Sequence, residues 1–424
     1  MMSAPTVCAR VRCRLPLAAT ITFSVLSAAV AQTPIELGAA PNEADYTLGC
    51  LYPMSGPGSL YGLDSVVAIE MAIEEIEERR EEEGLPRLRV VVDDDLSKRF
   101  RGVQIAQHFV RNLHVDALCG VVSSSVALAV TQVAFDAGVL FVGTDHASPR
   151  LTGEALHPYY FRMSNSSRTS MQAGAAYIAE HVSSRSPLKI AFVGPDYDYG
   201  YYQWDDLQRF LTERSVDFEV VAELWPRLHE VDFDPYIRAL LYAEPDLVVN
   251  GHWGSDAIAF IEQANAIGLF EVTQFMNFDA GGNYEVLAAL GERMPLGIIL
   301  SARHHNNWPD TERNRSFVQR FFERAGRYPS YSAQGAYAAT LALAIAYRDS
   351  GAARPDSETM RRELEKLVIE LPEDPPGFHS YMDAVSHEIQ QVQAIGVTVA
   401  GSALAPATVE LGNWFVFYPE GRKE

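Results

Sequence analysis

The stretch from Tyr46 to Gly62, YTLGCLYPMSGPGSLYG, decides the fold. Tyr46 to Tyr52 is apolar and bounded by turn residues, the pattern of a buried strand. Pro53, Gly56, Pro57 and Gly58 then interrupt regular structure. From Leu63 to Ile76 the apolar residues Val66, Val67, Ile69, Met71, Ala72, Ile73 and Ile76 recur at helical spacing. Strand, glycine-rich turn and helix in that order put a helix N-terminus at the carboxyl end of a strand. Open parallel sheets bind ligands at that position. Ser55 and the backbone N–H groups of the turn are candidate donors to a small polar or anionic ligand.

The same alternation runs through the chain. Strands are predicted at 88–92, 117–122, 139–142 and 159–163, with helices between them at 100–113 and after the triplet Ser123-Ser124-Ser125. The pattern restarts with helices at 168–182, 204–214, 235–242 and 256–267, and strands at 189–193, 218–224, 247–250, 274–277 and 297–301. Three helices follow, at 313–325, 334–348 and 357–371, and two last strands at 388–398 and 413–418. Short links between alternating strands and helices indicate parallel sheets covered on both faces. The fold class is α/β, with two doubly wound lobes.

The chain has 424 residues, 48% of them hydrophobic, enough for two cores. Arg10, Arg12 and Arg14 precede an apolar run from Leu15 to Val30 that ends in the A-x-A site Ala29-Val30-Ala31, so residues 1–31 read as a cleaved export signal. The export signal implies a periplasmic protein. Losing three arginines takes the net charge from −21 to −24. Such an acid excess disfavours nucleic acid and anionic membranes as partners. Residues 32–44 read as a loose leader. Cys8 and Cys13 leave with the signal. Cys50 and Cys119, each inside a predicted strand, could pair in an oxidising compartment; adjacent parallel strands rarely offer disulfide geometry, so two buried free thiols are the favoured of the two readings.

LYPMSGPGSLYG and the helix after it resemble the opening of the type I periplasmic binding proteins. The likeness is strongest to the branched-chain amino acid and amide/urea binding proteins of ABC importers. That resemblance implies two lobes, 45–163 plus 308–380 and 164–307 plus 381–424, joined by a multi-strand hinge. It implies an inner-membrane ABC permease as partner, a monomer, no cofactor, and a small ligand held between the lobes.

Five stretches could line such a cleft. The Ser123–Ser125 triplet starts a helix after a strand, which suits a carboxylate. In the amino-acid binders a serine here holds the ligand's carboxylate, and Ser123 or Ser124 matches it; the same residues also serve as plain helix caps. Asp145 and His146, after the fourth strand, replace the small residues and threonine usual in the family. An acid there favours a cation or a multiply polar ligand. Tyr199 matches a cleft-lining position and Trp253 an aromatic one, where a ring covers an ammonium or stacks on a planar ligand. Asp279 matches the acid that holds the α-ammonium in amino-acid binders, and is expected as a solvated cleft carboxylate of little weight in the fold. His304, His305 and Trp308 read as packing at a lobe crossing.

The implied function is capture of an amino acid or similar polar solute by hinge closure. The alternatives are a ligand-sensing module for a signalling receptor, or binding of an amide, urea or aromatic acid. An enzyme is disfavoured. The glycines at 56, 58 and 62 are spaced one residue too far for a dinucleotide turn, and neither G-x-x-x-x-G-K-[ST] nor G-x-S-x-G occurs.

Overall fold

The computed structural model of the chain describes residues 34–182 and 186–419. The predicted export signal, with Cys8 and Cys13, lies outside them.

A first sheet holds β1 (Ile35–Gly38), β2 (Tyr46–Tyr52), β3 (Leu88–Asp94), β4 (Ala117–Gly120), β5 (Leu140–Gly143) and β6 (Tyr160–Arg162), in the order β1-β3-β2-β4-β5-β6. β2 pairs in parallel with β3 on one side and β4 on the other, so strand order reverses there. Helices α1 (Ser59–Glu83), α2 (Arg99–His108) and α3 (Ser124–Ala137) follow β2, β3 and β4.

α4 (Ser167–His181) leads to a second sheet, of order β16-β15-β11-β10-β9-β7-β8. Its parallel strands are β7 (Leu188–Val193), β8 (Phe218–Leu224), β9 (Leu247–Asn250), β10 (Gln274–Asn277) and β11 (Ile299–Ser301). Between them run α5 (Asp198–Glu213), α6 (Asp234–Ala243), α7 (Gly254–Ile267) and α8 (Tyr284–Leu290). Then α9 (Glu312–Ala325), α10 (Tyr331–Ser350) and α11 (Ser357–Leu364) return to the first sheet: Phe317, Phe321, Ala338, Leu341, Met360 and Leu364 share a core with β2 and α1. A small antiparallel sheet, β12 (Val368–Ile369), β13 (Ser380–Met382) and β14 (Ile389–Gln390), precedes β15 (Gln393–Ala400) and β16 (Val409–Phe417), which close the second sheet antiparallel.

The opening strand and helix form because their apolar residues share faces. Tyr46, Leu48, Cys50 and Tyr52 meet Val66, Ile69, Met71, Ala72 and Ile76 in that core. The helix can start so close to the strand because residue 62 is glycine: a Cβ there would overlap the Pro53 carbonyl.

Three expectations are corrected. Part of the expected loose leader is β1, which pairs antiparallel with β3 and covers that sheet edge. The helix expected over 357–371 ends at Leu364, because Val368 and Ile369 pair with β13. Cys50 and Cys119 are not free thiols. They face each other in register on β2 and β4, their Cα atoms 4.4 Å apart, and form a disulfide. That spacing is at the short limit of what a disulfide bridges.

Candidate functional site

The loops at the carboxyl ends of both sheets' parallel strands converge on one cavity of about 800 Å³. The first sheet contributes Pro57 and Gly58 after β2, Ser97, Lys98 and Arg99 after β3, Ser123–Ser125 after β4, and Asp145 to Ala147 with Arg150 after β5. The second contributes Tyr197 and Tyr199 at the start of α5, Trp253 before α7, and Arg303 after β11; Tyr331 comes from the start of α10. A cavity of this size, with aromatic walls and few polar points, suits a small organic ligand.

At its base lies a buried charge triad. Arg303 donates to both carboxylate oxygens of Asp279, at 3.3 Å to Oδ1 and 2.8 Å to Oδ2. It also donates to Asp145 Oδ1 at 3.2 Å and to the Asp145 carbonyl. Its guanidinium stacks 4.7 Å from the Tyr331 ring centroid. Asp279 accepts from the Ser170 hydroxyl at 2.6 Å and from the Tyr199 hydroxyl as well. All three charged side chains are at least 95% buried. Burial alone would raise the Asp279 carboxyl, but Arg303 and the two hydroxyls outweigh it and hold the pKa below its usual value. Asp145 has fewer partners: burial pushes it up to about 7, Arg303 offsetting this only in part.

The sequence-predicted residues divide accordingly. Ser123, Ser124, Asp145, His146, Tyr199 and Trp253 all line the cavity. Ser123 and Ser125 bond each other at 3.0 Å, and Ser124 Oγ accepts from the Ser148 N–H at 3.3 Å; neither pairing engages the backbone N–H groups opening α3. Trp253 Nε1 donates to the Tyr197 hydroxyl at 3.0 Å, fixing its ring as a wall.

Three predictions need correcting. Ser55 is not on the cavity wall, and its hydroxyl is bound to Asp94 at 2.7 Å. Asp279 is not a solvated cleft carboxylate; it lies behind Tyr199, 1% exposed, with Arg303 as counter-ion. His146 reaches the wall, but its ring nitrogens are engaged by the Val121 carbonyl at 2.9 Å and the Tyr160 hydroxyl at 2.8 Å, and burial lowers its pKa to about 3. It is a neutral, internally bonded histidine. His304 and His305 are likewise buried, against Asn314 and the Ala394 carbonyl.

Sequence reasoning missed Arg303, although it sits beside the histidines it singled out. An arginine directly after an apolar strand that ends in the cleft was the available signal. Tyr197, Tyr331, Lys98 and Arg99 were missed too.

Two doubly wound sheets whose strand ends face a shared, aromatic-walled cavity define a ligand-capturing protein. The family model described as periplasmic binding protein matches residues 45–403, and the chain belongs to that family. Leu/Ile/Val-binding protein homolog 7 of Brucella abortus is 28% identical over 263 residues, 61% of this chain and 64% of the relative, so the match spans just under two thirds of that protein's length. Homolog 1 of Brucella melitensis is 25% identical over 74% of this chain and 80% of its own. Among solved structures, an amino acid ABC transporter substrate-binding protein from Pseudomonas fluorescens superposes with a TM-score of 0.77 at 20% identity, covering 88% of this chain and 96% of that one. A solute binding protein of an ABC transporter from R. palustris, in complex with 4-hydroxybenzoate, gives 0.75 at 16% identity, covering 89% and 98%. Among the described residues no helix is long and apolar enough to cross a membrane.

Proposed function

We propose that this chain is the periplasmic substrate-binding protein of an ABC importer and that its solute is a small organic acid. Two lobes, 45–163 plus 308–380 and 164–307 plus 381–424, would close on the solute about their crossings, and the closed form would dock on a permease.

The pairing of charges in the cavity carries the choice of solute. Its two lining acids both have counter-ions: Asp145 is paired with Arg303 and Asp198 with Arg150 at 3.0 Å. Asp279, the acid expected to meet an ammonium, is held by Arg303. What remains open is positive: the first N–H groups of α3, with Lys98 and Arg99 at the rim. A helix start favours a carboxylate, and the tyrosines and Trp253 offer flat apolar walls. An amino acid has to find a partner for its ammonium on this wall, whereas an aromatic or other simple organic acid does not. The solved relatives include one bound to 4-hydroxybenzoate as well as an amino acid transporter's protein.

Mass spectrometry of the small molecule released when the purified periplasmic protein is denatured tests this. A carboxylic acid is expected. A released polyamine, sugar or other compound without a carboxyl group would refute it.

A further inference from the structure

The acids on the cavity wall are engaged, and its unpaired charges are positive. Lys98 and Arg99 both line the cavity, and neither has an ion-pair partner among the described residues. The three acids just before them are turned elsewhere. Asp93 pairs with Arg101 at 2.9 Å. Asp94 accepts from the Ser55 hydroxyl at 2.7 Å and from the N–H groups of Met54 and Leu96, each at 2.9 Å. Asp95 is fully buried, and its Oδ1 accepts from the Ser97 N–H at 2.7 Å. These bonds hold Leu96 and Ser97 at φ 56° and 54°, a left-handed conformation uncommon outside glycine. The loop that presents Lys98 and Arg99 is therefore set by its own carboxylates. Two unpaired cations on this wall stand out on a chain of 55 acids and 34 bases. The overall field of such a chain repels an anionic solute, and a local positive patch in a cleft offsets it.

A second positive point opens on the same cavity. The first N–H groups of α3 have no side-chain cap among the described residues. Lys98 and Arg99 stand where α2 starts, after β3, whereas α3 starts after β4. β3 and β4 flank β2. At the usual spacing between strands, the two starts are about 9–10 Å apart. A carboxylate seated on the α3 start thus leaves Lys98 and Arg99 free to hold a further anionic group. The cavity has room for one. Even at a water's share of volume, about 30 Å³ per non-hydrogen atom, a ten-atom acid such as 4-hydroxybenzoate takes up no more than about 300 Å³ of a cavity of about 800 Å³.

We propose that the solute is a dicarboxylic acid, with one carboxylate on the α3 start and the other held by Lys98 and Arg99. This inference rests on the organic-acid reading above and narrows it.

Matched pairs of ligands test it on the wild-type protein by calorimetry at neutral pH, where both carboxyl groups are ionised. The pairs are benzoate with terephthalate, hexanoate with hexanedioate, and octanoate with octanedioate. In the best-binding pair the diacid should be about 10-fold tighter than its parent, since two partly exposed cations gain a partner. That advantage should shrink as salt is raised. Replacing both cations, Lys98→Gln with Arg99→Gln, should remove most of it; both side chains are exposed, so the fold should tolerate the change. An advantage that survives in the double variant would overturn the assignment to these two residues. Parent acids binding as tightly as diacids, or a natural solute released with a single carboxyl group, would overturn this inference and leave the organic-acid reading standing. A released solute with no carboxyl group would overturn both.

Discussion

At the scale of residues, Asp279 shows how position and role come apart. The sequence reading placed it at the carboxyl end of a strand, and it lies in the loop after β10, though not on the cavity wall. It also expected a solvated group, and the structure buries it against Arg303, Ser170 and Tyr199. Removing one charge from a buried pair leaves the other uncompensated. Asp279→Asn should therefore lower ligand-free stability by about 3 kcal/mol, measured by chemical denaturation. Only one of the two hydroxyl bonds, from Ser170 to Oδ1 or from Tyr199 to Oδ2, can persist to the amide oxygen, since the amide N–H2 cannot accept the other; Asp145 keeps part of the guanidinium's charge partnered. A variant as stable as wild type would show that Arg303 does not depend on Asp279. Asp279 was legible as important because a carboxylate is conspicuous at an apolar strand's end. Its partner was not, because Arg303 lies 24 residues further on, and no local pattern joins two side chains that only the packing of β10 beside β11 brings together.

At the scale of elements, the strands were the most legible part. β2, β8, β9 and β10 have the limits that their apolar runs and flanking turn residues indicate. Helix starts were less so: α5 begins at Asp198 rather than near Trp204, since Tyr199 and Tyr201 look like loop aromatics in isolation. β1 and α8 escaped notice because four and seven residues carry too little periodicity. One contact between elements holds α10 against the loop after β5, next to the cavity wall. α10 crosses the β5 loop at Gly335, where a Cβ would overlap the Thr144 carbonyl next to Asp145. By helix propensity alone, Gly335→Ala would gain about 1 kcal/mol. Against backbone, the overlap should reverse the sign, to a loss of about 1–3 kcal/mol. Thermal melts should show a lower Tm, and ligand titrations weaker binding, because Asp145 and Tyr331 ride on the two elements forced apart. An unchanged or raised Tm would mean that α10 shifts freely.

At the scale of the whole molecule, buried ionisable groups set the response to pH. Burial raises Asp95, Asp145 and Glu285 to about 7 and Asp374 to about 6, and puts Glu373 well above its usual value. Between about pH 4 and its folded value, each of these acids holds its proton in the fold and releases it on unfolding. Its contribution to stability is present at low pH and is lost as pH rises from about 4 through the folded value. Burial lowers His146, His252 and His305 to about 3 and His304 to about 4. These are neutral in the fold and take a proton on unfolding below about 6.5, so their contribution is lost as pH falls. The two sets nearly cancel between about pH 4.5 and 6. Above that the acids alone act, and below about 4 the histidines alone. Asp279 and Glu75, whose pKa values are lowered, add to the loss at the acid end. Ligand-free Tm should peak near pH 5–6, decline modestly toward pH 7.5, and collapse below pH 4. A maximum at pH 8 with steady loss toward pH 5 would contradict this balance.

The bond between Cys50 and Cys119 bears on how the molecule can give. It crosses β2 and β4, the two strands on either side of the point where strand order reverses. Elsewhere in the sheet, neighbouring strands are held by hydrogen bonds that can stretch or slip; here they are riveted. The turn at 53–58 and the serine triplet at 123–125 hang from those two strands, so their separation is fixed by covalent chemistry. One face of the cleft is thus an anvil, and if the proposed closure operates, its compliance has to come from the opposing face and the crossings between them.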